Sequence, residues 1–228
     1  MREAVLEGDP PISVSLRRSA RARRMTLRVS RLDGRVTLTL PQGAPDREGL
    51  AFVRAREDWI RANLSEQTET TAVQLGAELP VLGEMRRIIP GTGRGIVLGE
   101  TEIAVPGAPE QVGRKLHAWL KQLARSELAF ASDSYAQALG RSYSKLTIRD
   151  TRSRWGSCTS QGGLMYSWRL IMAPAEVLSY VAAHEVAHLE EMNHSSAFWD
   201  TVARLYGDYK PPKSWLRREG HRLHEYLF

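Results

Sequence analysis

The sequence predicts an α+β protein, with a β-rich N-terminal part followed by a mostly helical domain. Alternation of apolar and polar residues dominates the first hundred positions, whereas apolar residues recur at helical spacing from residue 110 onwards. Pro106 and Pro109 stand where the pattern changes. We therefore predict two domains, residues 1–106 and residues 107–228.

The N-terminal part reads as short strands around one helix. Alternating segments predict strands at 12–16, 25–30 and 35–40, with Asp33-Gly34 as a hairpin turn. Asp46 can cap a helix over residues 46–64, and a polar linker follows at 65–71. Glycines then separate four further predicted strands, at 73–81, 86–89, 95–98 and 101–105.

The C-terminal part is mostly helical. Residues 110–139 predict one long helix or a helix pair that stops at Gly140. Strands are predicted at 145–150 and 164–171, and a helix follows Pro174. Ser195 or Ser196 can cap another helix, which Pro211-Pro212 should break before a last helix from about Ser214 to the end.

Composition and termini indicate an ordinary soluble protein. The chain has 228 residues, of which 42% are hydrophobic and 25% charged. A single cysteine, Cys158, excludes an internal disulfide and is typical of a reducing compartment. The first residues carry acids where a signal peptide needs an apolar run, and no apolar stretch approaches a membrane span. We therefore expect a cytoplasmic protein without membrane contact; the sequence does not indicate its oligomeric state.

A metal-binding pattern stands out in the predicted helix after Pro174. His184 and His188 are four residues apart, so a helix places both imidazoles on one face. Glu185 lies beside them rather than among them, which suits a general base acting on a metal-bound water. A catalytic zinc site usually has three protein ligands, and His194 is the obvious third.

These residues predict a hydrolase with one Zn²⁺ per chain, although another divalent transition metal would fit the same ligands. A metal-bound water would attack a carbonyl while Glu185 takes its proton, which makes a peptide or protein the expected substrate. Two alternatives stay open. One is a metal-dependent hydrolase of nucleoside triphosphates or other phosphoanhydrides, and the other is a nucleic-acid-associated module with structural zinc.

An arginine-rich segment dominates the charge of the chain. Residues 16–36 carry eight arginines and one acid, a net charge of +7 where the whole chain carries +6. Either the arginines are the solvated face of a hairpin, or they bind an anionic partner such as nucleic acid or a nucleotide. The candidate anion-binding residues are Arg17, Arg18, Arg21, Arg23 and Arg24.

Three C-terminal motifs resemble the YgjP-like metallopeptidase family, which is related to the SprT-like and WLM zinc proteins. They are Arg154-Trp155-Gly156-Ser157-Cys158, the run from Tyr180 to Leu189, and the run from Asn193 to Trp199. The resemblance implies a small zincin-like domain with His184, His188 and His194 as ligands and Glu185 as catalytic acid/base. The chain departs from the family at Ser167, where Asn is usual and a substrate contact is in question. It also departs from related three-histidine zincins at Glu191, where those have a turn-forming Gly.

Other residues near the motif have two interpretations each. Arg154 and Arg169 would hold a developing oxyanion or a substrate carboxylate, or else make structural hydrogen bonds to the backbone. Cys158 is a small buried filler, or else a metal ligand or a nucleophile, and Tyr166 and Tyr180 are core residues or oxyanion donors. Four more residues could orient a ligand imidazole: Asn193, Ser157, Glu190 and Asp200.

The predicted strand 164–171 precedes the metal helix, as an edge strand does in zincins. We expect an extended peptide substrate to pair with this strand through main-chain hydrogen bonds.

Overall fold

A computed structural model describes residues 2–30, 33–65 and 70–228. The chain forms two compact units, Met1–Glu69 and Thr70–Phe228. The structure thus divides the chain at residue 69, not at the predicted residue 106. The reason lies in the core, because Leu79, Ile88 and Ile103 of the predicted first domain are buried in one cluster with residues of the C-terminal helices.

The N-terminal unit is a four-stranded sheet with two helices. Its strands are β1 (Arg2–Leu6), β2 (Ile12–Ser19), β3 (Thr26–Val29) and β4 (Val36–Pro41), in the order β1-β2-β4-β3. The predicted hairpin is confirmed, since β3 pairs antiparallel with β4, although residues 31–32 of its turn lie outside the described part. Val36, Leu38 and Leu40 alternate inwards and are buried with residues of the two helices.

The two helices of this unit are α1 (Asp46–Arg54) and α2 (Glu57–Ser65). They replace the single helix that the sequence predicts over 46–64. Strand β1 was not predicted, and it pairs antiparallel with β2. Of the predicted linker 65–71, residues 66–69 lie outside the described residues.

The C-terminal unit begins with five strands: β5 (Thr71–Ala72), β6 (Glu78–Val81), β7 (Glu84–Gly91), β8 (Val97–Leu98) and β9 (Glu102–Pro106). Four of them form a sheet in the order β6-β7-β9-β8. After a 3-10 turn, α3 (Val112–Leu139) runs as one continuous helix, with a buried stripe that includes Leu116, Leu120 and Leu128. Gly140 ends it in the left-handed conformation, as predicted (φ 66°).

A three-stranded sheet precedes the metal helix. Its strands are β10 (Lys145–Arg149), β11 (Gly156–Cys158) and β12 (Gly163–Ser167). The order is β10-β12-β11, so β12 lies in the centre, paired parallel with β10 and antiparallel with β11. The prediction of an exposed edge strand at 164–171 is therefore wrong: both sides of β12 are occupied, and Trp168–Met172 is a 3-10 helix.

The remaining elements are α4 (Ala175–Ala187), α5 (Ser196–Tyr206), α6 (Lys210–Glu219), a 3-10 helix (Gly220–His224) and β13 (Tyr226–Leu227). The prediction that Pro211-Pro212 breaks a helix is wrong, because α6 holds both prolines near its start, where a missing N–H costs no hydrogen bond. β13 pairs parallel with β5. None of the described helices is long and apolar enough to cross a membrane.

Candidate metal centre

Helix α4 carries two of the predicted ligands. It starts directly after Pro174, which occupies the N-cap position, and nine of its residues are buried. Apolar residues on nearly all of its sides place this helix within the core, as expected of a helix that is hydrophobic all round. His184 lies in its last turn and His188 at its C-cap, one turn further on the same face.

The chain then bends to bring in the third histidine. Leu189 N–H bonds to the Val186 carbonyl (2.9 Å), and the amides of Glu190 and Glu191 bond to the Ala187 carbonyl. Asn193 Oδ1 accepts a hydrogen bond from Ser195 N–H at the start of α5 (2.9 Å). No residue in 188–195, all of them described, has a positive φ. Glu191 therefore needs no glycine-like conformation, and the bend does not require the Gly of related proteins.

The three imidazoles converge on one point. One ring nitrogen from each of His184, His188 and His194 lies within 4.8 Å of the other two. The Nε2 atoms of His184 and His194 are 3.2 Å apart. Two nitrogens bound to one tetrahedral zinc ion at the usual distances lie about 3.3 Å apart, so this pair already has the spacing of ligands.

A backbone carbonyl sets the orientation of one ring. His188 Nδ1 lies 2.9 Å from the Glu191 carbonyl oxygen, which can only accept, so Nδ1 carries the proton and donates it. Nε2 of His188 then keeps its lone pair for a metal. The Nδ1 of His184 is buried and has no hydrogen-bond partner within the described residues. The predicted orienting residues were Asn193, Ser157, Glu190 and Asp200, but the contact that the structure provides is the main chain of Glu191.

Helix α5 supplies an aromatic wall. The Phe198 ring is fully buried and stacks on His188, with 4.4 Å between ring centroids and 25° between planes. It also contacts His184 and His194 edge-on, at 4.9 and 4.8 Å. Trp199 lies 5.7 Å from His184. Phe198 and Trp199 thus pack around the three histidines.

Burial keeps His184 and His188 neutral. Together with the neighbouring imidazoles and Lys213, burial lowers the pKa of His184 to about 3. Burial also lowers the pKa of His188, although the bond to Glu191 opposes this. Neutral imidazoles are the form that binds metal. The spacing of the three imidazoles and the neutral form of His184 and His188 fit a divalent transition metal such as zinc.

Glu185 is buried beside the cluster. Its side chain is only 6% exposed, and burial raises the pKa of its carboxyl to about 8, with Arg154 acting in the opposite direction. The carboxyl packs against Gly156 of β11. A Cβ atom at residue 156 would lie 2.6 Å from both Cγ and Oε1 of Glu185. The glycine of the Arg154–Cys158 motif thus leaves the room that the Glu185 side chain occupies.

Strand β11 presents a free edge at this point. Ser167 N–H donates to the Trp155 carbonyl and Thr159 N–H donates to the Gly163 carbonyl, so odd-numbered residues face β12. By the antiparallel pattern, the main-chain groups of Gly156 and Cys158 point away from β12. The sheet therefore has an open edge beside Glu185, on β11 rather than on the predicted strand.

The three predicted substrate-binding residues have different surroundings. Arg169 is ion-paired with Asp150 (2.8 Å) and donates to the carbonyls of Leu223 and Tyr226. These contacts match the structural interpretation. Ser167 is fully buried, and its hydroxyl has no partner within the described residues. Arg154 is exposed, and its charge acts on Glu185, so it alone stays a candidate for contact with substrate.

The surroundings of Cys158, Tyr166 and Tyr180 are those of structural core residues. Burial raises the pKa of the Cys158 thiol to about 11, and its Sγ lies 3.4 Å from the Thr159 carbonyl. Tyr166 is buried with its hydroxyl 3.0 Å from Ser132 Oγ. Burial raises the pKa of Tyr180 to about 12, and its ring lies edge-on to His184. Glu190 accepts from Arg204 of α5 (2.9 Å) and so positions that helix.

The arginine-rich segment belongs to the N-terminal unit. Arg18 is ion-paired with Asp46 and donates to the Gln42 carbonyl (2.8 Å), so it is a structural residue. Arg17, Arg21, Arg23 and Arg24 are exposed and make no ion pair with any residue that the structure describes. This arrangement fits both a solvated face and an anion-binding surface.

Two residues near the site could not be found from sequence. Gly156 was recognised only as part of a motif, since its contact with Glu185 depends on how β11 packs against α4. The Lys213 ammonium lies 3.8 Å from the centroid of the Trp199 ring, although 14 residues separate the two in the chain. No local pattern indicates either contact.

An α+β protein with three convergent histidines next to a buried glutamate has the features of a metal-dependent hydrolase. The chain belongs to the YgjP-like family: the sequence profile of the YgjP-like metallopeptidase domain matches residues 23–219. None of the curated proteins matches the chain. Part of it is similar to the crystal structure of the metallopeptidase zymogen of Pyrococcus abyssi abylysin. That similarity has 21% identity and a TM-score of 0.35, over 46% of this chain and 99% of that chain.

Proposed function

We propose that the protein is a zinc-dependent peptidase in which His184, His188 and His194 hold the metal and Glu185 is the catalytic acid/base. The observation that carries this proposal is the juxtaposition of three convergent imidazoles with a buried carboxyl next to a free strand edge. A structural zinc site would be closed by a fourth protein ligand and would need no base.

One metal ion per chain would occupy the point where the three imidazoles converge. When bound, zinc acts there as a Lewis acid: it acidifies a water and stabilises negative charge on a carbonyl oxygen. Glu191 supports this role through its main-chain bond to His188, which holds that ring in the tautomer that binds metal. Phe198 excludes solvent from one side of the cluster and fixes the rings by packing.

Glu185 is proposed to take a proton from the attacking water and pass it to the leaving amine. A carboxyl that is 6% exposed releases and accepts protons near neutral pH more readily than an exposed one, since burial raises its pKa. Its contact with Gly156 restricts where the carboxyl can lie. Arg154, whose charge reaches Glu185, is proposed to attract the substrate carbonyl or a carboxylate next to it.

An extended peptide is proposed to lie along β11. The outward main-chain groups of Gly156 and Cys158 would bond to it without reading its side chains. Because Gly156 touches Glu185, a peptide on this edge would pass beside the proposed catalytic carboxyl. A nucleotide has no peptide main chain that could pair with a strand edge. The free edge therefore favours peptides over phosphoanhydrides as substrates.

Two other functions that the sequence suggests remain as secondary proposals. Phosphoanhydride hydrolysis would need Arg154 and Arg169 to hold the phosphates. The Arg169 guanidinium is already bonded to Asp150 and to two backbone carbonyls, which disfavours this role. Nucleic acid or nucleotide binding by Arg17, Arg21, Arg23 and Arg24 is compatible with their exposure. Binding of that kind would weaken steeply as salt rises.

The test uses zinc-loaded protein, a mixture of unstructured peptides and a set of nucleoside triphosphates. We expect peptide cleavage, and we expect Glu185→Gln to lower kcat by about a hundredfold or more while zinc content and Tm stay unchanged. Nucleotide turnover that depends on Glu185, without any peptide cleavage, would replace the peptidase proposal by the phosphoanhydride one.

The metal assignment has its own measurement. His194→Ala should lose zinc affinity because two imidazoles are left, and we expect less than one equivalent of zinc after dialysis. His221→Ala is the matched control, since His221 is a histidine outside the cluster. A full equivalent retained by His194→Ala at unchanged affinity would remove His194 from the site.

A further inference from the structure

A polar cavity of about 460 Å³ opens beside the metal cluster. Three segments line it: the connection between α3 and β10, the turn between β11 and β12, and the residues that follow α4. Its lining includes Arg141, Ser142, Thr159, Ser160, Gln161 and His188. The cavity thus shares a wall, His188, with the candidate metal centre.

The cavity lies beyond the C-terminal end of β11, in the direction of its free edge. The outward-facing residues Gly156 and Cys158 are followed directly by Thr159 and Ser160, which line the cavity. A peptide that pairs with β11 and continues in the same direction would reach it. A side chain or the terminus of that peptide, a few residues from the scissile bond, would then enter the cavity.

The chemistry of the lining favours an anion. Among the described residues of its lining, Arg141 is the one cation besides the histidine ligand, and none is a carboxylate. The Arg141 guanidinium makes no ion pair or side-chain hydrogen bond with any residue in the described ranges. Hydroxyls of Ser142, Thr159 and Ser160 and the amide of Gln161 add neutral donors. Donors around an unpaired guanidinium are the usual way in which proteins recognise a carboxylate.

We propose that this cavity is a substrate subsite that binds a carboxylate of the peptide, with Arg141 as its specificity-determining residue. The inference rests on the proposed peptidase function and adds a substrate class to it: acidic peptides. The carboxylate has two sources, an Asp or Glu side chain or the free C-terminus of the peptide. Met192, half exposed at the lining, would contact the apolar part of the bound residue.

The experiment compares three series of peptides on zinc-loaded protein. The first carries Glu at successive positions, the second carries Gln at the same positions, and the third repeats the first with an amidated C-terminus. We expect Glu at one position, or the free C-terminus, to raise kcat/KM by about tenfold or more, the scale of a hydrogen bond to a charged group. Loss of the preference in the Gln series identifies the side chain, whereas loss in the amidated series identifies the terminus.

Arg141→Glu should abolish this preference through KM, so that kcat/KM of the carboxylate peptide falls to that of its neutral counterpart. Arg114→Glu is the matched control, an exposed arginine on α3 that does not line the cavity. Peptides cut without any preference for a carboxylate, or a preference that persists in Arg141→Glu, would overturn the subsite and leave the peptidase standing. If no peptide is cut at all, the peptidase proposal itself fails, and the subsite fails with it.

Discussion

The contact between Glu185 and Gly156 is tight enough that no other residue type fits at position 156 without movement. A methyl group there would meet Cγ, Oε1 and Cδ of Glu185 at 2.6 to 2.8 Å, well inside van der Waals contact. Glu185 is held by a buried helix, so its side chain would have to swing away. The glycine therefore acts through Glu185, as a positioning residue.

Gly156→Ala should lower kcat by about 10- to 100-fold, because a displacement of the acid/base by an ångström costs rate on that scale. Zinc content should stay at the wild-type level, since the three atoms nearest to the added Cβ all belong to Glu185 and none to a histidine. Gly95→Ala is the control: Gly95 belongs to the same unit, and nothing lies within 4 Å of its added Cβ. Wild-type kcat in Gly156→Ala would mean that the position of the Glu185 carboxyl is not critical.

At the scale of elements, the metal helix and its ligands could be predicted from sequence because their signals are local. The i, i+4 histidines, Pro174 before the helix and Gly140 after α3 each act within one or two turns. The edge strand could not be predicted in the same way. The sequence predicts a strand at 164–171, but sheet order depends on pairing between distant segments, and β10 and β11 occupy both sides of β12.

The domain boundary in the structure differs from the predicted one for a similar reason. Pro106 and Pro109 mark a change of local structure, yet Val105 on one side and Val112 and Leu116 on the other are buried in one core. A change from strands to helices therefore does not mark a change of domain here. The polar linker at 65–71 was the better signal, since the division at residue 69 falls inside it.

Proline substitutions in β11 test its free edge. Cys158→Pro removes an N–H that points away from β12, so the sheet should survive and KM for peptides should rise. Ser157→Pro removes an N–H on the side that pairs with Met165, and it should lower Tm strongly. Cys158→Ala separates the effect of the thiol from that of the N–H. An unchanged KM in a folded Cys158→Pro variant would place the peptide elsewhere.

In the molecule as a whole, the described residues form two hydrophobic cores. One is formed by residues such as Val14, Leu38 and Ile60 of the N-terminal unit, and the other by a larger set in the C-terminal unit. Because each unit has a core of its own, we expect two unfolding transitions.

Zinc should therefore stabilise one transition only. All three histidines of the metal centre belong to the C-terminal unit, so a ligand that binds them stabilises the folded form of that unit. At a free zinc concentration of about 100 times Kd the stabilisation is roughly 2.7 kcal/mol. For a unit of this size that corresponds to an upward shift of about 5–10 °C in one transition of a calorimetric scan. Residues 1–69 contribute no ligand to the cluster and should melt at an unchanged temperature.

The His194→Ala variant is the control, and it should lose the zinc-induced shift. Tryptophan fluorescence can assign each transition to a unit, since five of the six tryptophans lie in the C-terminal unit and only Trp59 in the other. A zinc-induced shift of both transitions by the same amount would show that the two units unfold together, and a shift that persists in His194→Ala would place the bound ion outside the three-histidine cluster.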